Sequence, residues 1–332
     1  MLTSHFPLCL IIYVIYILML RVSPAPMTSI KFGCLLPVKI EGDSLNQDQE
    51  TRLAALAESL RPTLAPAVPH TSVVYLGIDA EKIHSQGRES ILSIFREHHI
   101  PVTEIIFDEC DAGSICKYWR LLADAAVEDG CDFFGLLGDD VEMHSQDWIS
   151  AVIQDFTSLH RELQLSEELF GFGIIAINDR QAPGFPTFPI LHKIHYKLNG
   201  QLFDEAFVNQ DADPFLFQLY RRWGASRIAT SASLTNHVGG VQLLENTAYK
   251  LPRYDRKHID WSNDLLTFAV ERIEHNAVGM GLSLASFKFF TVDVIVPTYR
   301  VQRSFLEPIC ALKSALPNVS VIRYALFTTS NS

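Results

Sequence analysis

The sequence lacks the cysteine spacings that define metal modules and disulfide scaffolds. It has six cysteines among 332 residues, but no Cys-x-x-Cys pair and no regular interval between them. A structural zinc module or a disulfide framework needs such spacing. We therefore interpret the cysteines as mostly free thiols in strands or in the core.

An excess of positive charge is also missing. The formal net charge is −11, in a chain that is 48% hydrophobic and 20% charged. This balance argues against nucleic acid as a partner, because binding a polyanion relies on clustered Lys and Arg. A small anionic ligand remains compatible with it, since a bound metal ion reverses the local field. Length and composition fit one large globular domain with additional chain.

The long apolar run near the N-terminus is shorter than a typical membrane span. Phe6–Leu20 is 15 residues long, whereas a transmembrane helix needs about 20. No Lys or Arg precedes it, so the basic start of an ordinary signal peptide is absent. The favoured interpretation is a signal or anchor in residues 1–27, with membrane anchoring through residues 6–20 and a place in the ER or Golgi lumen. The alternative is a start at Met27 and a cytoplasmic protein.

Strand and helix patterns alternate regularly after residue 29. Apolar runs predict strands at Ile30–Ile40, Thr71–Ile78, Val102–Phe107 and Cys131–Leu137, and helical spacing predicts helices at Gln47–Leu60, Ser90–His98 and Ser114–Glu128. This order predicts an α/β fold in which helices cover both faces of a mainly parallel sheet, a three-layer, Rossmann-like arrangement. Ligands of such sheets lie beyond the carboxyl ends of the strands.

Clustered carboxylates end the fourth predicted strand. The segment Cys131–Met143 reads CDFFGLLGDDVEM and places Asp139, Asp140 and Glu142 directly after an apolar run. Alternation puts Asp140 and Glu142 on one side, and hard oxygen ligands suit Mn²⁺ or Mg²⁺. The alternative is that these acids are solvated turn residues.

Two later segments carry further candidates. NQDADP at Asn209–Pro214 offers Asp211 as a general base, because a carboxylate in an apolar cleft can accept a proton near neutral pH. Asp213 before Pro214 is typical of a helix N-cap. TNHVGG at Thr235–Gly240 offers His237 as a metal ligand. A loop acid and a structural histidine are the alternatives.

These motifs, in this order, resemble the inverting family-2 glycosyltransferases of the GT-A fold. Leu36-Pro37-Val38 matches the proline motif of the first strand, and Asp79 matches the aspartate that ends the second. Gly138–Glu142 is similar to the D-x-D metal motif, Gln210-Asp211 to a Glu-Asp pair with one substitution, and His237 to a later metal-binding histidine.

The resemblance implies a function and a role for each of these residues. The family moves a sugar from a nucleoside diphosphate sugar, here with a UDP-sugar favoured, to a glycan or another hydroxyl acceptor. Asp211 would be the catalytic base, and Mn²⁺ or Mg²⁺ would be the cofactor. The donor would be bound by Pro37, Asp79 and Asp139, and the metal by Asp140, Glu142 and His237.

A second match to the same opening strand lies near the C-terminus. Val292–Val301 (VDVIVPTYRV) resembles it better than the first strand does, and a helix-like and a strand-like segment come after it. We therefore predict a leader at 1–27, a glycosyltransferase domain at 28–240, a linker with a helical segment at 241–288, and the truncated start of a second domain at 289–332. A structural appendage is the alternative for the last part.

Two other functions remain open. Gln210 in place of Glu and D-x-E in place of D-x-D suit a degenerate protein that binds a nucleotide sugar without turning it over. Another α/β nucleotide-dependent transferase, such as a nucleotidyltransferase, would need a Gly-rich basic loop after the first strand, and Lys39–Gly42 is a poor match. A processive synthase is disfavoured, because Gln218–Trp223 misses the Q-x-x-R-W spacing by one residue and several long membrane spans are missing.

Overall fold

The computed structural model describes residues 29–40, 44–61, 70–79, 85–107, 113–237, 255–262, 264–284, 291–298 and 321–328. The apolar run Phe6–Leu20 lies outside these ranges. Within them, no helix has both the length and the apolar character needed to cross a bilayer.

One mixed sheet of eight strands organises the chain, in the order β3-β2-β1-β4-β7-β6-β8-β5. Its strands are β1 (Ile30–Lys39), β2 (His70–Asp79), β3 (Val102–Ile106), β4 (Phe133–Leu136), β5 (Val141–Met143), β6 (Ile174–Asp179), β7 (Pro186–His192) and β8 (Ser226–Asn236). The helices are α1 (Gln47–Leu60), α2 (Ser85–Glu97), α3 (Ile115–Glu128), α4 (Trp148–Glu162), α5 (Ile194–Asn199), α6 (Ala212–Arg221) and α7 (Asp264–Gly279). The predicted α/β class with a mainly parallel sheet is confirmed.

The first half of the sheet is parallel. Strand β1 pairs in parallel with β2 and β4, and β2 pairs in parallel with β3. Helices connect these strands, which is the connection that parallel neighbours require. Helix α1 begins with a capping box between Asn46 and Gln49, and the buried Gln49 amide also donates to the carbonyl of Lys39. The carboxyl ends of β1, β2 and β4 therefore lie along one edge.

The second half is mixed, and the sheet curls there. Strand β7 runs antiparallel to both β4 and β6, while β6 and β8 are parallel. Residues 137–140 join β4 to β5 although three strands lie between them in the order of the sheet. In a flat sheet that separation would be about 19 Å, and the five Cα steps from Leu136 to Val141 reach at most about 18 Å. Curvature brings β5 within reach of the end of β4.

The core is continuous and includes the chain that comes after β8. Trp148 and Phe133 pack against Phe32 in the middle of the sheet. Helix α7 buries Ala269, Val270, Ile273 and Ala277 in the same core, and the Arg272 guanidinium donates to the side-chain oxygen of Asn199. The helical segment predicted inside the linker thus packs against the body of the domain.

Three local expectations are corrected. The proline in the first predicted strand suggests that the strand ends at Pro37, but β1 continues to Lys39, since its pairing with β2 remains in register to that point. Helix α6 begins at Ala212 with Asp211 as N-cap, so the prediction of Asp213 as the cap is wrong. Pro214 is still compatible, because the first turn of a helix has no partner for its N–H groups.

The apolar pattern predicts that extended structure resumes at Ile190–His195, whereas β7 spans Pro186–His192 and a short helix comes next.

A separate pair of strands covers part of the predicted second domain. Strands β9 (Thr291–Thr298) and β10 (Val321–Thr328) pair in parallel. The helix predicted between them lies outside the described residues. The truncated second domain stays a prediction.

Candidate functional site

The acidic motif forms a tight turn at the carboxyl end of β4. Asp139 and Asp140 are buried, with 5% and 8% of their surfaces exposed. A Cβ atom at Gly138 would come 2.5 Å from Oδ1 of Asp140. A side chain at this position would therefore have to displace the buried carboxylate of Asp140.

Glu142 and His237 meet across the β5–β8 pair. Glu142 pairs in register with Thr235, and its Oε2 atom lies 3.2 Å from Nε2 of His237. The backbone N–H of His237 also donates to the carbonyl of Asp140 at 2.9 Å. The structure thus places the side chains of Glu142 and His237 in contact, and a backbone hydrogen bond joins His237 to Asp140.

Asp179 and His144 adjoin this pair. Asp179 ends β6 and is 1% exposed; its Oδ1 accepts the Gln181 N–H at 2.8 Å, and its buried Oδ2 lacks a partner among the described residues. Burial raises the pKa of Asp179, although backbone donors and the charge of His237 oppose the rise. Burial lowers the pKa of His144, whose Nε2 lies 2.6 Å from the Thr235 hydroxyl.

The donor atoms here suit a divalent cation in part. A carboxylate oxygen and an imidazole nitrogen 3.2 Å apart have about the separation of neighbouring ligands around an octahedral ion with bonds of about 2.1 Å. In the described ranges, His, Cys, Asp and Glu form no group of three or more that could hold a metal. The set Asp140, Glu142 and His237 therefore stays a prediction, which the Glu142–His237 pair fits.

The predicted donor-binding residues are spread along the same edge. Asp79 ends β2 opposite Lys39 of β1, and Pro37 lies two residues earlier, opposite Gly77. Leu137 N–H donates to the carbonyl of Leu35, which attaches the start of the acidic turn to β1. The three predicted residues Pro37, Asp79 and Asp139 thus lie near or beyond the carboxyl ends of neighbouring parallel strands.

Asp211 is held in an unusual backbone conformation. Its φ of 70° is left-handed, a region that Asp tolerates better than most residues. The side chain does not cap α6. Its Oδ1 lies 2.9 Å from Nδ1 of His258, and its Oδ2 accepts the N–H of Ile259 at 2.9 Å. The carboxylate is therefore directed away from its own helix and toward residues 47 and 48 positions later.

We call residues 255–260 the strap. Asn209 fixes it, because its amide donates to the carbonyl of Asp255 at 2.9 Å and its oxygen accepts the N–H of Lys257 at 2.9 Å. Asn209 is 7% exposed. Because Asp211 binds the strap at Ile259, the strap is held at both ends by residues next to the start of α6.

Phe188 connects the start of α6 to the acidic turn. It lies in a β-bulge of β7, where Ala176 pairs with Pro189 and Ile177 with Thr187, and its φ is 49°. Its backbone N–H donates to the carboxyl of Asp213. Its ring would lie 3.4 Å from a Cβ atom at Gly138. The acidic turn and the start of α6 therefore share one edge of the sheet.

Several residues of this edge are not predicted from the sequence. Asn209 stands directly before Gln210-Asp211, so its place beside a candidate base is a usable signal. Asp179 ends a strand, as Asp79 does, and the same rule could have identified it. His258 lies in a polar segment without periodicity, and nothing in its neighbours indicates its contact with Asp211.

Comparison with known proteins gives a structural likeness. No family model and no curated protein matches the chain. A solved structure of glucosyl-3-phosphoglycerate synthase from Mycobacterium tuberculosis, in complex with Mn²⁺, uridine diphosphate and phosphoglyceric acid, is 8% identical, with a TM-score of 0.36 over 76% of this chain and 80% of that one. Its complex with Mg²⁺ and uridine diphosphate has a TM-score of 0.35, at the same identity and coverage. Mouse xyloside xylosyltransferase 1 in its apo form is 13% identical, with a TM-score of 0.30 over 49% of this chain and 67% of that one.

Proposed function

We propose that the chain transfers a sugar from a nucleoside diphosphate sugar, with a UDP-sugar favoured, to a hydroxyl of a glycan or another acceptor. The observation that supports this most is the shared edge of the sheet. It combines a buried acidic turn at Asp139 and Asp140, the Glu142–His237 pair, and a carboxylate at Asp211 that is 18% exposed. Glycosyl transfer requires an anion-neutralising group and a base near each other, and ligands of such sheets bind beyond the carboxyl ends of the strands.

The reaction we propose is a single displacement with inversion. The acceptor oxygen attacks the anomeric carbon, and its proton passes to the base that Asp211 supplies or positions. The bond between the anomeric carbon and the phosphate oxygen breaks, and the nucleoside diphosphate leaves with the electron pair. Asp140, Glu142 and His237 would hold Mn²⁺ or Mg²⁺, which supplies charge neutralisation for the departing diphosphate. Pro37, Asp79 and Asp139 are proposed to bind the donor.

Titration calorimetry on the full chain tests this proposal. UDP, GDP and their sugars are titrated with and without Mn²⁺, in the unmodified protein and in Asp140→Ala and Glu142→Ala. We expect one nucleotide to bind in a Mn²⁺-dependent way and each substitution to weaken binding about tenfold or more, since even the loss of a residue that only supports a metal ligand has an effect of that size. Asp147→Asn is the matched control, because Asp147 is exposed, lies shortly after β5 and makes no capping bond.

The outcomes separate the alternatives. Absence of nucleotide binding in the folded protein, or equal binding by Asp140→Ala, contradicts the proposed site. Metal-dependent binding without any turnover favours the degenerate, donor-binding protein.

A further inference from the structure

We propose that His258 receives the proton of the acceptor hydroxyl and that Asp211 is the residue that positions it. This inference rests on the proposed function and specifies the atom that acts as its base. The two side chains are joined by a contact of 2.9 Å between His258 Nδ1 and Asp211 Oδ1. The imidazole is 62% exposed and the carboxylate 18%, so the imidazole is the member of the pair that faces the solvent.

The carboxylate of Asp211 is already engaged at both oxygens. Oδ1 faces His258, and Oδ2 accepts the backbone N–H of Ile259 at 2.9 Å. An acceptor hydroxyl that gave its proton to Asp211 would have to compete with one of these bonds. The geometry therefore assigns Asp211 the role of holding the strap and the ring.

The contact also determines which ring nitrogen is available. An ionised carboxylate only accepts hydrogen bonds, so the Nδ1 atom that faces it carries the hydrogen. In a neutral imidazole, Nε2 then has a free lone pair. Within the described part of the chain, Nε2 of His258 makes no hydrogen bond. An imidazole oriented by a carboxylate through Nδ1, with Nε2 facing outward, is an arrangement suited to general-base catalysis.

Hydrogen bonds anchor the backbone of the strap on both sides of His258. Lys257 before it donates its N–H to Asn209 at 2.9 Å, and Ile259 after it donates to Asp211 and packs against the core. Trp261 then meets the ring of Phe215 edge-on, with 5.8 Å between centroids. His258 is thus an exposed side chain on anchored backbone, as a base needs to be if its geometry is to persist.

In the proposed step, His258 accepts the proton and the leaving nucleoside diphosphate takes the electron pair. The acceptor O–H gives its proton to Nε2 of His258 as its oxygen bonds to the anomeric carbon, and the nucleoside diphosphate departs with the electrons of the broken bond. The imidazolium that forms keeps its Nδ1–H bond to the Asp211 carboxylate, which stabilises the new charge. The proton passes to water after the products leave.

Donor hydrolysis tests the inference without knowledge of the natural acceptor, because water can serve as the acceptor. UDP release from a panel of UDP-sugars in the presence of Mn²⁺ is measured for the full chain, His258→Ala, Asp211→Asn and the double variant. We expect His258→Ala to lower kcat about 100- to 1000-fold, with KM and UDP affinity unchanged. The double variant should be no slower than His258→Ala, since the two residues act as one unit.

Chemical rescue distinguishes a base from a structural contact. Imidazole added to His258→Ala should restore much of kcat, and substituted imidazoles should restore it in order of their basicity. His275→Ala is the control, because His275 is an exposed histidine on α7; neither its substitution nor added imidazole should change kcat.

Each remaining outcome decides the matter. Full activity in His258→Ala, or a loss that imidazole does not restore although UDP still binds, overturns the role of His258 and leaves the proposed function standing. If the unmodified protein neither binds nor hydrolyses any nucleotide sugar, the proposed function fails and this inference fails with it.

Discussion

Asp211 and Asp213 are two positions apart, and their carboxyl groups differ in their hydrogen-bond partners. The Asp211 carboxylate accepts hydrogen bonds at both oxygens. The Asp213 carboxyl accepts a backbone N–H from Phe188, but its Oδ1 is buried without a partner among the described residues. Burial raises the pKa of Asp213 to about 7. The Asp213 carboxyl, buried with one oxygen unpartnered, therefore favours its protonated form.

Replacing Asp213 by Asn should therefore stabilise the protein more at high pH than at low pH. Below the unfolded pKa of 3.8, Asp213 is protonated in both the folded and the unfolded wild type, so its titration does not change the free energy of unfolding. Between about 4 and 7 the unfolded chain loses this proton while the folded one keeps it, so wild-type stability falls by at most about 1.4 kcal/mol per pH unit. Above pH 7 the deficit persists.

Urea unfolding of wild type and Asp213→Asn at pH 4.5 and pH 7.5 measures this effect. The stability advantage of the variant should be clearly larger at pH 7.5. An advantage of the same size at both pH values would show that the buried carboxyl does not hold its proton.

At the scale of elements, the strap has no secondary structure of its own and depends on side chains from outside it. Asn209 binds its backbone at Asp255 and Lys257, and Asp211 binds it at Ile259. Asn209 is itself tied to the start of α3 through the carbonyl of Gly113, at 3.4 Å. The strap is thus coupled to two helices that begin at the carboxyl edge of the sheet.

Asn209→Ala should release the strap and slow transfer without weakening donor binding. The loss of two hydrogen bonds to a buried side chain is worth about 1–3 kcal/mol, so amide exchange at Lys257 and Ile259 should accelerate about 10- to 100-fold. We expect kcat to fall by a similar factor, with UDP affinity unchanged, because the strap carries the proposed base His258 and the proposed donor residues Pro37, Asp79 and Asp139 lie outside it.

Hydrogen exchange with mass spectrometry and the UDP-release assay check both parts. Asn276→Ala is the control, since it removes a side-chain amide that bonds the carbonyl of Leu198 and not the strap. Unchanged exchange in the strap of Asn209→Ala would contradict the assigned role of Asn209.

The elements differ in how far the sequence can predict them. The strands and helices up to β4 are predicted well, because apolar runs and helical spacing alternate without interruption there. The β7 region is predicted poorly, since its bulge at Phe188 and its proline-containing start obscure any periodicity. The predicted start of α6 is two residues late, because Asp213-Pro214 has the local pattern of a cap although Asp211 holds that position.

At the scale of the whole molecule, residues that come after the predicted domain boundary at 240 pack against the domain that comes before it. Helix α7 buries Ile273 completely and Val270 nearly so. Its Asn276 side chain donates to the carbonyl of Leu198, and Arg272 donates to Asn199. The strap, which comes before this helix in the chain, carries His258 and contacts Asp211.

A chain that ends at residue 245 should consequently be less stable than one that ends at residue 284. Fully burying Ile or Val contributes about 1.5–3 kcal/mol each, so we expect a loss of roughly 3–5 kcal/mol, a large share of the stability of an ordinary domain. Urea midpoints of the two chains measure it, and the shorter chain should also lose sugar-nucleotide turnover. Equal midpoints would show that α7 adds nothing to folding.

The candidate site is predictable where one segment contains its signal and not where the fold joins distant segments. The turn at Asp139 and Asp140 is predicted by one apolar strand and the rule that ligands meet strand ends. The pairing of Glu142 with His237 depends on which strand β5 joins, and the pairing of Asp211 with His258 spans 47 residues of chain. Single-sequence patterns contain no information on such contacts.

The two margins of the eight-stranded sheet have a consequence for association between copies of the protein. The outer strands are β3, with five residues, and β5, with three. β3 also carries Glu104, whose carboxylate binds the Arg88 guanidinium of α2. Short edge strands that carry a charged side chain offer few unpaired backbone groups to a strand of another molecule. The same three-residue β5 that carries Glu142 therefore also limits edge-to-edge aggregation at its margin.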